Sequence, residues 1–296
     1  MELPLVIGTD AIQLPGLLTL PRSTQKVPCV ILVHGSGPQD RDETCYANKP
    51  FRDLAHGLAK EGIATIRYDK RTYVYPTLNR EDITIKEEVI DDALAAIRIA
   101  SSHAEIDTLQ LFVAGHSLGG MLVPKIATQS KTLKGVILLA ANISPLEDLI
   151  EQQMHYLQQL SGEESNASSQ QLLQQLNNSR HIGTSSFDSS MPAPFGVPYS
   201  YWKDLHAYHP GQVAKSLTIP LLFLNGERDY QVPIAEQEKW KRALVSKPNC
   251  TYVKFRLLNH LFMPSTLPPS PKEYSKPSKV ATGVIKTIST WIKQLN

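Results

Sequence analysis

The sequence predicts an α/β protein: a mostly parallel, doubly wound sheet that carries one helical insertion. Short apolar runs, each closed by turn residues, alternate with helix-periodic segments along most of the chain. The runs are apolar at consecutive positions rather than at every second one, as strands buried on both faces require. The alternation breaks once, in a Gln- and Ser-rich stretch between residues 143 and 210.

Taken in order, residues 3–7 and 12–20 alternate in polarity and are expected to form an edge hairpin. Residues 27–34 (VPCVILVH) form the first buried strand and run into Gly35, Ser36 and Gly37. A helix over 51–61 places Leu54, Leu58 and Ala59 on one face, and a strand over 63–68 ends at Asp69. A helix over 86–100 aligns Val89, Ile90, Ala93, Ile97 and Ala100. The strand 109–114, the helix 120–128 and the strand 136–140 follow. Beyond the insertion come a strand over 220–224, a helix over 234–244 and a strand over 251–256. A closing helix over 280–295 turns Val284, Ile288, Trp291 and Ile292 inward.

Within the insertion, EDLIEQQMHYLQQL and SSQQLLQQLNN read as two amphipathic helices. Ile150, Met154, Leu157 and Leu160, and then Leu172, Leu173 and Leu176, recur at helical spacing. A long loop, MPAPFGVPYSYW, is expected after them. The division expected is a core of residues 1–142 and 211–296, with residues 143–210 as a cap over the C-terminal edge of the sheet.

Composition narrows the function classes. The 296 residues are 42% hydrophobic and 20% charged, enough to bury a large core and too apolar for global disorder. Thirty Lys+Arg against 28 Asp+Glu leave a net charge of +2, so no attraction to nucleic acid or an anionic membrane is expected. Three cysteines, with no CxxC or Cys/His pattern, argue against a disulfide framework or a zinc site and for a reducing compartment. MELPLVIGTD has neither the basic start nor the apolar stretch of a secretory leader, and no apolar run is long enough to span a bilayer. A cytoplasmic protein is expected.

The segment that carries chemistry is Gly115-His116-Ser117-Leu118-Gly119, a G-x-S-x-G lying directly after an apolar strand and before a helix. A G-x-S-x-G alone is a weak signal, and its strand–turn–helix setting makes it specific. A serine nucleophile has to project from a tight, strained turn, and flanking glycines relieve the crowding. The Leu118 backbone N–H then opens a helix whose dipole favours a developing oxyanion. The second oxyanion donor must come from the loop after the first buried strand, His34-Gly35-Ser36-Gly37, and is assigned to the Ser36 N–H.

Partners for the serine occur in the order Ser…Asp…His, each just past the end of a strand: Asp229 in NGERDYQVP and His260 in LLNH. Glu227 is the alternative acid, nearer its strand, since either carboxylate can orient an imidazole. His116 adjoins Ser117 in sequence, but the turn points neighbouring side chains apart. His206 and His209 have a spacing that suits a metal, yet no third ligand accompanies them, so no metal is expected. Asp69, Lys70 and Arg71 read as a structural charge cluster under the site, and residues 39–43 (QDRDE) as a solvated loop at its rim. Met191, Phe195, Tyr199, Tyr201 and Trp202 either wall a substrate pocket or form the cap's own small core.

Together, HGSGPQDRDE, NKPFRDLAHGLAKEGIATIRYDKRT, GHSLGG, LNGERDYQVP, LLNH and PKEYSKP resemble the α/β-hydrolase superfamily. Within it the chain resembles the EstD-type bacterial carboxylesterases, related to dienelactone-hydrolase-like and acyl-peptidase-like hydrolases. The resemblance runs from about Leu14 to the end and is weakest in the cap. It implies a triad of Ser117, Asp229 and His260 that cleaves small-molecule esters of short to medium acyl chain without a cofactor. Relatives with a cysteine nucleophile are disfavoured by Ser117. A thioesterase, a peptidase and a non-catalytic binding protein on the same scaffold remain the alternatives; peptidases of this kind usually carry a large extra domain.

Overall fold

Strand pairing explains why the apolar runs are continuous. The computed structural model describes residues 1–9, 11–77, 82–162 and 166–295. Its strands are β1 Glu2–Thr9, β2 Ile12–Thr19, β3 Val27–Val33, β4 Ala64–Tyr68, β5 Ile106–His116, β6 Leu133–Leu139, β7 Leu221–Gly226 and β8 Cys250–Phe255. They form one sheet in the order β1-β2-β4-β3-β5-β6-β7-β8. β1–β2 and β2–β4 pair antiparallel, and every other pair is parallel. Ile31 of β3 pairs with Ile66 of β4 on one side and Val113 of β5 on the other.

Alternate residues of the central strands feed two separate cores. Cys29, Ile31, Val33, Leu111 and Val113 face one, while Val30, Leu32, Phe112 and Ala114 face the other. The first is covered by α3 (Asp91–Ser102), α4 (Leu118–Thr128) and α9 (Ile234–Ala243), and the second by α1 (Pro50–Lys60) and α10 (Thr282–Gln294). This is the doubly wound arrangement that the sequence predicts. Among the described residues no helix is long and apolar enough to cross a membrane.

Two differences from expectation bear on the site. β5 runs to His116, two residues further than predicted, so Ser117 stands directly at its end. The helix expected over 86–100 opens with a π turn, Lys86–Ile90, before α3 begins. The wider π turn accompanies a buried Glu88 that reaches Lys70, beyond the short helical turn α2 (Arg71–Val74).

The insertion holds more helix than predicted. α5 (Leu146–Ser161) and α6 (Ala167–Arg180) are the two expected, but the end of the supposed loop opens α7 (Tyr199–Ala207), and α8 (Pro210–Ser216) follows across the expected boundary at residue 210. Pro198 and Pro210 are the physical reason: one caps α7 and the other is the first residue of α8, positions where a missing N–H is harmless. Tyr201, Trp202 and Leu205 of α7 and Ala214 of α8 join the same core as α4.

Candidate active site

Ser117 links β5 to α4 with φ 54° and ψ −121°, a conformation that costs a non-glycine residue about 1–3 kcal/mol. The turn is held by the Ser117 N–H on the Leu139 carbonyl (2.8 Å) and the Met121 N–H on the Ser117 carbonyl (3.0 Å). Both glycines of the motif are enforced by backbone contact. A Cβ on Gly115 would lie 2.4 Å from the Gly119 carbonyl oxygen, and a Cβ on Gly119 would lie 2.4 Å from that of His34. The second contact also seats the β3 loop against the turn: a Cβ on Gly35 would sit 3.2 Å from Ser117 Cβ.

The loops after β7 and β8 bring Asp229 and His260 together. His260 Nδ1 lies 2.6 Å from Asp229 Oδ2, and the N–H groups of Gln231 and Val232 donate to Asp229 Oδ1 at 2.8 and 2.9 Å. Both side chains are buried, whereas Glu227, the alternative acid, is exposed. A carboxylate fixed in this way accepts the Nδ1 proton and leaves Nε2 as the basic nitrogen. Asn259 shapes the His260 loop, its Oδ1 accepting the N–H groups of Leu261 and Met263 at 3.0 and 3.1 Å. His260 reaches the serine turn itself: His116 Nε2 donates to the His260 carbonyl at 2.9 Å, and the two rings are 4.5 Å apart.

The rim loop differs from expectation. Glu43 is not solvated but 4% exposed, with its carboxylate 3.0 Å from His116 Nδ1 and accepting the Gly35 N–H at 2.8 Å. Its neighbours have partners too. Asp40 accepts the N–H groups of Asp42 and Thr44. Arg41 makes a two-pronged bond to Asp69 at 2.9 and 2.7 Å, and Asp42 pairs with Arg67 and Lys49. Arg41 meets Asp69 just past β4, Asp42 meets Arg67 of β4 and Glu43 meets His116 of β5, pairings that no local sequence window contains. The Asp69, Lys70 and Arg71 cluster lies where expected, with Lys70 on Glu88 at 3.1 Å and Arg71 on Asp92 at 2.6 Å.

Burial pushes the His116 imidazole down, but the Glu43 carboxylate, the His260 carbonyl and Asp229 together more than offset it and the pKa is raised. Burial pushes Glu43 up, and His116, His34 and the Gly35 N–H together more than offset that, so its pKa is lowered. The raised His116 pKa stabilises the fold fully below 6.5, the ordinary value, and this is lost as pH rises through the folded pKa. The lowered Glu43 pKa stabilises above 4.5 and is lost as pH falls through its folded pKa. The pair therefore contributes most between those two values. Replacing Glu43 with Gln is expected to cost about 3 kcal/mol near pH 5.5, as removing one partner of a buried pair does, and less near pH 9. Thermal unfolding of both proteins at the two pH values checks this; an equal loss at both would mean the pair is uncharged.

A cavity of about 640 Å³ opens over Ser117, with Ser36 and Leu118 beside it, so both expected oxyanion donors border the same space as the serine. Leu149, Ile150 and Val197 give it apolar walls. Of the expected pocket aromatics, Phe195, Tyr201 and Trp202 line it, Phe195 being 62% exposed and Trp202 buried. Tyr199 does not line it. Its hydroxyl accepts from Asn178 at 2.7 Å and donates to the Met191 carbonyl at 3.1 Å, and Phe187 meets its ring edge-on, so it packs among residues 178–191 instead. His206 contacts the buried Glu147 and His209 precedes α8, so the pair is not on one helix face. Among the described residues no group of three or more His, Cys, Asp or Glu could hold a metal ion.

Residues 26–188 match the family described as serine aminopeptidase, S33. The chain is 39% identical over 279 residues to Esterase EstD of Thermotoga maritima, an alignment covering 94% of this chain and 65% of that protein. The chain thus spans about two thirds of that relative's length. It resembles the esterase domain of a Rhodothermus marinus protein at TM-score 0.60 and 17% identity, covering 100% of both chains. It also resembles Est1E from Butyrivibrio proteoclasticus at TM-score 0.61 and 18% identity, covering 98% of this chain and 96% of the other.

Proposed function

We propose that this chain, which belongs to the serine aminopeptidase S33 family and has the α/β-hydrolase fold, is a serine hydrolase that cleaves carboxylic esters of small to medium acyl chain. The observation that carries this reading is the 2.6 Å His260–Asp229 bond at the same edge of the sheet as the strained Ser117, which opens on an apolar cavity. Its 39% identity to an esterase supports the substrate class.

In the reaction, His260 Nε2 takes the Ser117 proton as Oγ attacks the ester carbonyl, and Asp229 stabilises the imidazolium. The Ser36 and Leu118 N–H groups receive the oxyanion. His260 protonates the leaving alcohol, then activates the water that releases the acid. No cofactor takes part in this scheme. The three cysteines are free, which supports a reducing, cytoplasmic location.

The family description raises an aminopeptidase reading. Binding a free α-amine calls for a carboxylate that is still available in the cavity. Glu88 is the carboxylate that lines it among the described residues, and Lys70 at 3.1 Å and the Tyr201 hydroxyl at 2.6 Å already occupy it. The cavity therefore suits a neutral ester better than an amino-terminal residue. A panel of p-nitrophenyl esters of increasing acyl length, run beside an acyl thioester and aminoacyl p-nitroanilides, tests the choice. Turnover of esters far above the anilides is expected; preferential turnover of the anilides would overturn the ester reading.

Residues 143–210 act as the cap and set acyl preference. Replacing Phe195 with Ala, at the exposed mouth, is expected to leave stability within about 0.5 kcal/mol and to flatten the acyl-length profile. Replacing the buried Trp202 with Ala is expected to cost about 3–5 kcal/mol and to move the preference to longer chains, because the void adjoins the cavity. Substrate profiles and unfolding curves check both; profiles identical to the parent would place the acyl pocket elsewhere.

A further inference from the structure

The Lys70 ammonium is buried, its side chain 3% exposed, and it meets three acceptors. They are the Gly35 carbonyl at 2.8 Å, the Gly37 carbonyl at 3.0 Å and Glu88 Oε1 at 3.1 Å. An ammonium has three N–H donors, so this set uses all of them. Two of the acceptors are the carbonyls on either side of Ser36.

We propose that Lys70 is a positioning residue of the oxyanion hole, holding and polarising the Gly35–Ser36 peptide whose N–H receives the oxyanion. The Gly35 carbonyl and the Ser36 N–H belong to one peptide unit. A trans peptide is planar, with its N–H pointing opposite to its C=O, and among the described residues no peptide is cis. Anchoring the carbonyl on Lys70 thus fixes the direction of the Ser36 N–H, on the residue that borders the cavity beside Ser117.

The anchor is needed because Gly35 has no Cβ to restrict rotation of this peptide. Rotation would withdraw the N–H and turn a carbonyl oxygen toward the developing negative charge. The Gly35 N–H is itself tied to Glu43 at 2.8 Å, so the loop is held from both sides. An ammonium on the carbonyl also draws electron density from the amide and strengthens its N–H as a donor.

Lys70 is in turn held from the cap. Glu88, in the π turn, accepts the Tyr201 hydroxyl of α7 on its other oxygen at 2.6 Å, and both residues line the cavity. The cap residue that walls the pocket is therefore two hydrogen-bonded steps from the group that aims the oxyanion donor.

The inference rests on the serine hydrolase reading, and the test separates the two. Esterase activity of the parent and its loss in Ser117→Ala are measured first; failure there rejects the hydrolase reading and leaves Lys70 without a role in catalysis. With that established, Lys70→Met is expected to lower kcat about 30- to 100-fold while KM changes less than threefold, because the neutral ground-state carbonyl leans little on the oxyanion donors. Affinity for an alkyl trifluoromethyl ketone, which forms an anionic adduct on the serine, should fall by a similar factor. Competitive inhibition by an unreactive ether of the same shape should be unchanged.

Lys70→Met leaves Glu88 buried without its cation, so Lys70→Met/Glu88→Gln is measured in parallel, where the ion pair is removed as a unit. The same split between kcat and KM in a folded variant supports the proposal. A folded variant with kcat within threefold of the parent overturns it. Equal losses of ketone and ether binding also overturn it, since they would report general disruption of the cavity.

Discussion

Replacing Ser117 with Ala is expected to lower kcat for ester hydrolysis by on the order of 10⁴ or more while leaving the fold in place. The substitution removes one oxygen and keeps the Cβ, so the φ 54° turn and its strain are the same in both proteins. The bonds that hold the turn are made by the Ser117 backbone N–H and carbonyl, not by its hydroxyl. The flanking contacts at Gly115 and Gly119 are backbone contacts and do not depend on the side chain. Unfolding temperature should therefore move little, and any rate that survives reports the oxyanion donors and binding alone. Hydrolysis of p-nitrophenyl butyrate by purified protein gives the measurement, and covalent labelling by a fluorophosphonate, read by mass spectrometry at the peptide containing residue 117, gives an independent one. Retention of more than a tenth of the parent activity, or labelling of a different serine, would remove Ser117 from the role of nucleophile.

The proposed machinery was legible where its signals are local. The apolar strands are continuous because the sheet is covered on both faces, and residues such as Val30 and Ile31 show it by feeding opposite cores. The turn at Ser117 writes itself into the sequence because backbone oxygens of Gly119 and His34 occupy the space a Cβ would need at 115 and 119. Asp229 and His260 could be proposed as partners because each lies in the loop just past a strand of a parallel sheet, where loops converge.

What was not legible depends on contacts across the fold. Glu43 stands among charges that suggest a solvated loop, and its burial follows from His116 and the Gly35 N–H, residues of two other segments. Lys70 looked like one member of a charged triplet; its carbonyl partners show only once the loops after β3 and β4 adjoin. Tyr199 and Tyr201 are two residues apart and equally aromatic. One turns to Asn178 within the cap and the other to Glu88 at the cavity, because they sit on different faces of α7, a helix that the proline-rich run concealed. Pro198 and Pro210 were available as helix-start signals and point to α7 and α8 once read that way.

Replacing Asp229 with Asn is expected to lower kcat on the order of 10⁴-fold at neutral pH, and replacing Glu227 with Gln less than threefold. The geometry around Asp229 dictates the first result. Two backbone N–H groups, from Gln231 and Val232, point at Oδ1, so an Asn there must turn its carbonyl oxygen to them. Its NH₂ then faces His260 Nδ1, where Oδ2 lay at 2.6 Å. A donor in that place forces Nδ1 to accept and moves the ring proton to Nε2, so the imidazole can no longer take the proton of Ser117. Asp and Asn have nearly the same shape, so the loss would come from the tautomer rather than from unfolding. Glu227 is the control because it has the same chemistry two residues away but is exposed to solvent, where a charge acts weakly on the site. Steady-state kinetics of both variants on p-nitrophenyl butyrate at pH 7.5 decide the matter. A larger loss in Glu227→Gln than in Asp229→Asn would move the acid of the triad to residue 227.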